Sequence, residues 1–158
     1  MPFIEIITDS KSESRLSNLI TKSLVNNCEI IYIKEKNIEN IKNIKLDTIV
    51  IDQPIKNLEI LEKIIGNSKN VIYNLDLNKE VEKNNFKVNK VICYGYNSKS
   101  DITISSVTDE QILICLQNTI ESIYGIKIEP QEIKVKAKSD TDVYDIMIII
   151  ALSMLYAR

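Results

Sequence analysis

The amino-acid sequence predicts an α/β protein, a three-layer arrangement of a mostly parallel sheet with helices and a small antiparallel β extension. Three observations lead there. Short β-branched runs alternate with amphipathic helical stretches between Phe3 and Tyr94. After Gly95 the hydrophobic period drops to two, and the most apolar stretch, Val143 to Tyr156, follows as one last helix. At 158 residues the sequence fits a single domain spanning 1–158, long enough to bury roughly 70% of its unfolded surface.

The elements follow in order. Phe3 to Thr8 is a short apolar run suited to a buried strand. Ser12 to Val25 places Leu16, Ile20 and Leu24 at four-residue spacing, joined by Leu19 and Val25, so it reads as an amphipathic helix with Ser10 or Ser12 as its N-cap. Ile30 to Ile33 and Thr48 to Ile51 are β-branched strands, while Glu35 to Lys45 between them is too polar and Asn-rich to assign. Ile55 to Ile65 reads as a helix with Leu58, Leu61, Ile64 and Ile65 on one face and Gly66 as its stop. Val71 to Tyr73 and Val91 to Tyr94 are further strands. Beyond Gly95, Ile102, Ile104 and Ser106 alternate with Thr103 and Ser105, the pattern of a half-buried strand. Ile112 to Leu116 and Ile133 to Ala137 read the same way, with Asp109-Glu110 and Gly125 as turns. Val143 to Tyr156 is shorter than the ~20 residues a bilayer span needs, so it is expected to be a buried helix, part of which faces another subunit.

Composition removes whole classes of mechanism. Hydrophobic residues make up 44% and charged residues 27%, with a net charge of −2. That balance gives no general pull toward nucleic acid. Tyr94, Tyr96, Tyr124, Tyr144 and Tyr156 are spread too widely in the sequence to build a stacking platform for single strands. Histidine is absent, which excludes a Ser-His-Asp triad, a Cys-His dyad and a His-ligated zinc within the chain. Cys28, Cys93 and Cys115 lie in apolar strand-like contexts and read as buried thiols in a reducing compartment. The start Met1-Pro2-Phe3-Ile4-Glu5 lacks the basic start and apolar run of a secretory signal, so a cytoplasmic location is expected.

Five segments, in order, resemble the central ATP-binding domain of the Mur ligase family. Ile4-Glu5-Ile6-Ile7-Thr8 looks like the strand leading into that family's ATP-binding loop. Val71-Ile72-Tyr73-Asn74-Leu75-Asp76 resembles its acidic strand end, and Val91-Ile92-Cys93-Tyr94-Gly95-Tyr96 the aromatic-glycine strand that follows. Ile102 to Val107 falls where the family starts an antiparallel sheet. Ser139-Asp140-Thr141-Asp142-Val143-Tyr144-Asp145 is similar to the segment that opens a long helix. The resemblance implies a Rossmann-like, P-loop-like fold and descent from enzymes that use ATP to join amino acids to an acyl phosphate.

What the resemblance implies about chemistry is mostly loss. The two glycine positions of the phosphate loop fall on Asp9 and Ser12, and its lysine position on Glu13. A one-residue shift would offer Lys11 instead. The loop Asp9, Ser10, Lys11, Ser12, Glu13 and Ser14 contains no glycine for close backbone approach. Two carboxylates there would oppose a polyphosphate. The histidine and first asparagine of the helix-start motif correspond to Thr141 and Asp142, and the second asparagine to Asp145. No counterpart of the magnesium-binding glutamate or the carbamylated lysine can be placed in the shortened region Glu35 to Ser68. The flanking substrate domains have no counterpart either, so a central domain alone is expected.

Other clusters have simple structural readings. Asn74, Asp76 and Asn78 alternate after a strand, where open α/β sheets bind ligands but where loops also terminate strands. Together with Asp142 and Asp145, Asn74 and Asp76 form the expected vestigial cleft. Asp140, Asp142 and Asp145 could hold a cation through oxygen ligands, yet capping and dipole compensation explain them without one. The hydroxyl-rich stretch Ser98 to Ser106 has no base to activate it. The expectation is therefore a non-catalytic protein with a degenerate nucleotide-binding loop and no cofactor or metal. Such a protein would act in binding, scaffolding or regulation, with an unknown protein partner or a second copy, and with neither nucleic acid nor membrane. The alternative is a ligase-like enzyme or nucleotide sensor with an atypical or partner-completed site.

Overall fold

A computed structural model describes residues 1–23, 28–81, 83, 86–138 and 140–158. The expected helical positions Leu24 and Val25, and Ser139 of the helix-start motif, lie outside the described residues. The protein is α/β, and its contacts gather into two compact units, Met1–Val91 and Ile92–Arg158.

The first unit alternates strands and helices: β1 (Phe3–Ile7), α1 (Ser10–Ser23), β2 (Glu29–Ile33), a 3₁₀ helix (Glu35–Ile41), β3 (Leu46–Ile51), α2 (Leu58–Gly66) and β4 (Ser68–Asn74). The strands lie in the order β2-β1-β3-β4 and all pair parallel. Parallel strands buried on both faces read as continuous apolar runs, and Ile4, Ile6, Ile7, Ile49, Val50 and Ile51 are all buried. The 3₁₀ helix occupies the stretch too polar to assign from sequence, anchored by buried Ile38.

Both helices of this unit differ from expectation at their starts, for the same reason. α1 is capped by Asp9, whose Oδ1 accepts the Ser12 N–H at 2.7 Å, and neither Ser10 nor Ser12 serves as the cap. An aspartate one residue before the helix satisfies an amide that would otherwise lack a partner. α2 begins at Leu58, three residues later than expected, because the Asn57 side chain accepts from Ile60 N–H at 3.2 Å and sets the cap there. Leu61, Ile64 and Ile65 are buried as expected, but Leu58 is exposed. Gly66 is the last helical residue and Asn67 follows it as the C-cap.

The second unit, which begins within β5 (Lys90–Tyr94), carries a mixed sheet in the order β5, β6 (Ile102–Val107), β7 (Gln111–Leu116) and β10 (Gln131–Lys136). β5 and β6 run parallel, and the remaining two pairings are antiparallel. β7 alternates cleanly, with Ile112, Ile114 and Leu116 buried. β6 does not. A register shift between Ile104 and Ser106 breaks its alternation, and Ser105, Ser106 and Val107 are all exposed, as a bulge that re-aims the strand would produce. A short hairpin, β8 (Ile120–Glu121) with β9 (Lys127–Ile128), turns at Gly125, whose φ of 83° suits glycine. The terminal helix α3 (Val143–Leu155) buries Ile146, Met147, Ile148, Ala151, Leu152, Met154 and Leu155 and packs on β6 and β8. Among the described residues, no helix is long and apolar enough to cross a membrane.

Candidate functional site

In the order β2-β1-β3-β4, the chain leaves β1 for one neighbour and later returns to the other side. The crevice at the carboxyl ends of β1 and β3 is thus a topological switch point, where open α/β sheets hold ligands. Register fixes what stands there. One residue beyond the ladder pairs Ile7–Ile33, Ile7–Ile51 and Ile51–Tyr73, the row across the edge reads Lys34, Thr8, Asp52, Asn74.

This row is tied together by its own hydrogen bonds. The Thr8 hydroxyl donates to Asp52 Oδ2 at 3.3 Å, and Asn74 Nδ2 donates to Asp52 Oδ1 at 3.5 Å. Thr8, Asp52 and Asn74 are 1%, 5% and 0% exposed, so water cannot replace these partners. The remaining groups close the rim. Gln53 Nε2 donates to Asp9 Oδ2 at 3.3 Å, and the Lys34 ammonium pairs with the Glu13 carboxylate. The Asp9 carboxyl is held below its ordinary value, first by the Ser12 backbone N–H and further by the Ser12 hydroxyl, the Lys11 backbone and the Arg15 charge. Burial, with the charge of Glu13, pushes Tyr32 up.

Of the loop residues singled out in the sequence, Ser12 is buried and receives a bond from Arg15 at 3.0 Å. Ser10, Lys11 and Ser14 are exposed. Glu13 does not serve the helix end alone, because Lys34 neutralises it. Asn74 ends β4 as an Asx turn, its Oδ1 accepting from Asp76 and Leu77 N–H at 3.0 and 3.3 Å. Asn78 staples this turn to the loop after β3, accepting from Ile55 N–H and donating to the Gln53 and Asn74 carbonyls. Asp76 instead lines a hollow of about 500 Å³ with Pro54, Lys56 and Leu77. A second, more apolar hollow of about 400 Å³ lies beside α2, lined by Leu58, Leu61, Ile65, Val81 and Phe86.

The remaining sequence candidates sit in the second unit. Asp142 caps α3, accepting from Tyr144 N–H at 2.9 Å and Asp145 N–H at 3.3 Å. Asp145 is buried in the first turn and Asp140 is exposed. Among the described residues, no group of three or more Cys, Asp or Glu is placed to hold a metal. The hydroxyl-rich stretch is organised by Asp101, which is buried and accepts from Cys93 N–H at 2.9 Å, the Cys93 thiol at 3.4 Å and Asn118 Nδ2 at 2.9 Å.

Sequence reasoning missed Thr8, Lys34, Asp52 and Gln53. One signal was available: Asp52 directly follows the β-branched run Thr48 to Ile51 and precedes Gln53-Pro54, so an acid stood at a strand's carboxyl end. The site defines a class, a parallel α/β unit whose switch-point side chains Thr8, Asp52 and Asn74 are buried and hydrogen-bonded to one another. No protein-family model and no curated protein matches the chain.

Proposed function

We propose that the chain is a non-catalytic, Mur-ligase-like protein that acts in binding, scaffolding or regulation rather than in ATP-dependent ligation. The observation that carries this reading is the Asp9 carboxylate seated on the Ser12 N–H at the start of α1. A phosphate site at a helix start needs free backbone amides and a favourable local field. Here a fixed negative side chain takes an amide, and the loop has no glycine to let a phosphate approach. The one ammonium of the row, Lys34, is already paired with Glu13.

The test is a thermal melt with ATP and magnesium. A ligand bound only by the folded state must raise the melting temperature, so no shift is expected. A rise of several degrees that disappears in Lys11→Ala would overturn the reading, because it would show the loop gripping a polyphosphate.

A further inference from the structure

We propose that β2 is a self-recognition edge, on which a second copy of this chain lays its own β2 in antiparallel register. β2 is the outermost strand of its sheet, and among the described residues only β1 pairs with it. Glu29 N–H donates to the Pro2 carbonyl at 3.1 Å, and the Ile33 carbonyl accepts from Thr8 N–H at 3.1 Å. In a parallel ladder a residue turns its N–H and C=O to the same side, so the odd-numbered residues bond inward. Ile30 and Tyr32 therefore present theirs outward.

Edges of this kind are normally guarded by charge. The outermost strand of the second unit is guarded, with Glu132, Lys134 and Lys136 at alternate positions of β10. β2 carries no charge between Glu29 and Lys34, and Ile31 is 47% exposed. The register places Ile31 beside Glu5 and Glu29 beside Phe3. Exposed Ile31 and Phe3 therefore share one face and extend the apolar edge.

The outward residues also select the register. Hydrogen-bonded pairs must join even-numbered residues to even-numbered residues, which leaves three two-fold arrangements centred on the strand. Tyr32 opposite itself would set Glu29 against Glu35. Ile30 opposite itself would shift the ladder off the strand toward Cys28. Ile31 opposite itself pairs Ile30 with Tyr32 and Glu29 with Ile33, engages all five residues and opposes no like charges. The strand complements its own copy, and that symmetry favours a second copy over an unrelated peptide.

Solution mass and cross-linking test the pairing. At about 100 μM, which saturates a micromolar contact, light scattering should give twice the chain mass. Ile31→Lys should halve that value, while Ile44→Lys, at an exposed position outside any strand, should leave it doubled. In a Cys28→Ser background, Ile31→Cys should form an intermolecular disulfide on mild oxidation. A directly opposed, non-hydrogen-bonded pair sets Cα atoms about 4.5 Å apart, inside the range of about 4.4–6.8 Å that a disulfide spans. A wild type that stays at single mass overturns the proposal, including one that instead captures an extended peptide from another protein. So does a dimer that survives Ile31→Lys, or an Ile31→Cys variant that does not cross-link. The cross-link needs no charged substitution, so it decides the matter even if Ile31→Lys fails to fold.

Discussion

Asp9 and Glu5 are carboxylic acids four residues apart, yet their surroundings shift them in opposite directions, hydrogen bonds lowering Asp9 and burial raising Glu5. Asp9 gains amide partners on folding, so its carboxyl is held down, chiefly by the Ser12 N–H. The stability it contributes is present above the ordinary aspartate range and is lost as the pH falls through its lowered folded value. Asp9→Ala should cost about 1 kcal/mol at neutral pH through loss of the cap, whereas Asp9→Asn keeps an acceptor and should cost far less; chemical denaturation of both variants distinguishes them. Glu5 is 7% exposed in the middle of β1, and its Oε2 has no hydrogen-bond partner. Burial pushes its carboxyl up, and the nearby Asp47 charge adds to the effect. A raised value means the folded state favours the protonated form, so stability falls as the pH rises from the ordinary carboxylate range through the folded value. Glu5→Leu should therefore stabilise the protein by about 1–2 kcal/mol at pH 7, and the gain should shrink as the pH is lowered. A gain that did not depend on pH would mean the charge is not what costs.

At the scale of elements, what the sequence revealed followed from local pattern, and what it hid followed from side chains acting across caps and ladders. Periodicity located α1, α2 and α3 and most strands, because burial on one face repeats at 3.6 or 2.0 residues. It placed the start of α2 too early, since Ile55 is buried outside the helix and reads like a helical position. It could not see the β6 irregularity, which leaves Ser105 and Ser106 both exposed. Two glycines make the point testable. Gly66 sits in the last turn of α2 with open space where a Cβ would go, so Gly66→Ala should stabilise by about 0.5–1 kcal/mol. Gly125 turns the β8–β9 hairpin at a φ of 83°, and Gly125→Ala should destabilise by about 1–2 kcal/mol. Melting the two variants side by side checks the opposite signs.

At the scale of the whole molecule, alternating strands and helices announced an α/β protein, but no local pattern could announce strand order. The row Lys34, Thr8, Asp52, Asn74 exists only because β1 lies between β2 and β3, and its central bond joins residues 44 positions apart. The sequence placed Asp52 at the end of a strand, but its partners Thr8 and Asn74 could not be read for that reason. The acidic loop was legible as a polar helix start, but that Asp9 rather than Ser10 or Ser12 is the cap, and that Glu13 pairs with Lys34, depended on the fold.

Cys93 is 3% exposed, with its thiol turned onto the Asp101 carboxylate, whereas Cys28 and Cys115 are half-buried. A thiol that donates a hydrogen bond to a neighbouring anion has little tendency to become the nucleophilic thiolate, because the anion's charge opposes a second one beside it. In timed iodoacetamide alkylation read by peptide mass spectrometry, Cys115 should modify well before Cys93, and Asp101→Asn should narrow the gap. The slow sulfur would then serve as an intrinsic clock for local opening around the turn at residues 95–101.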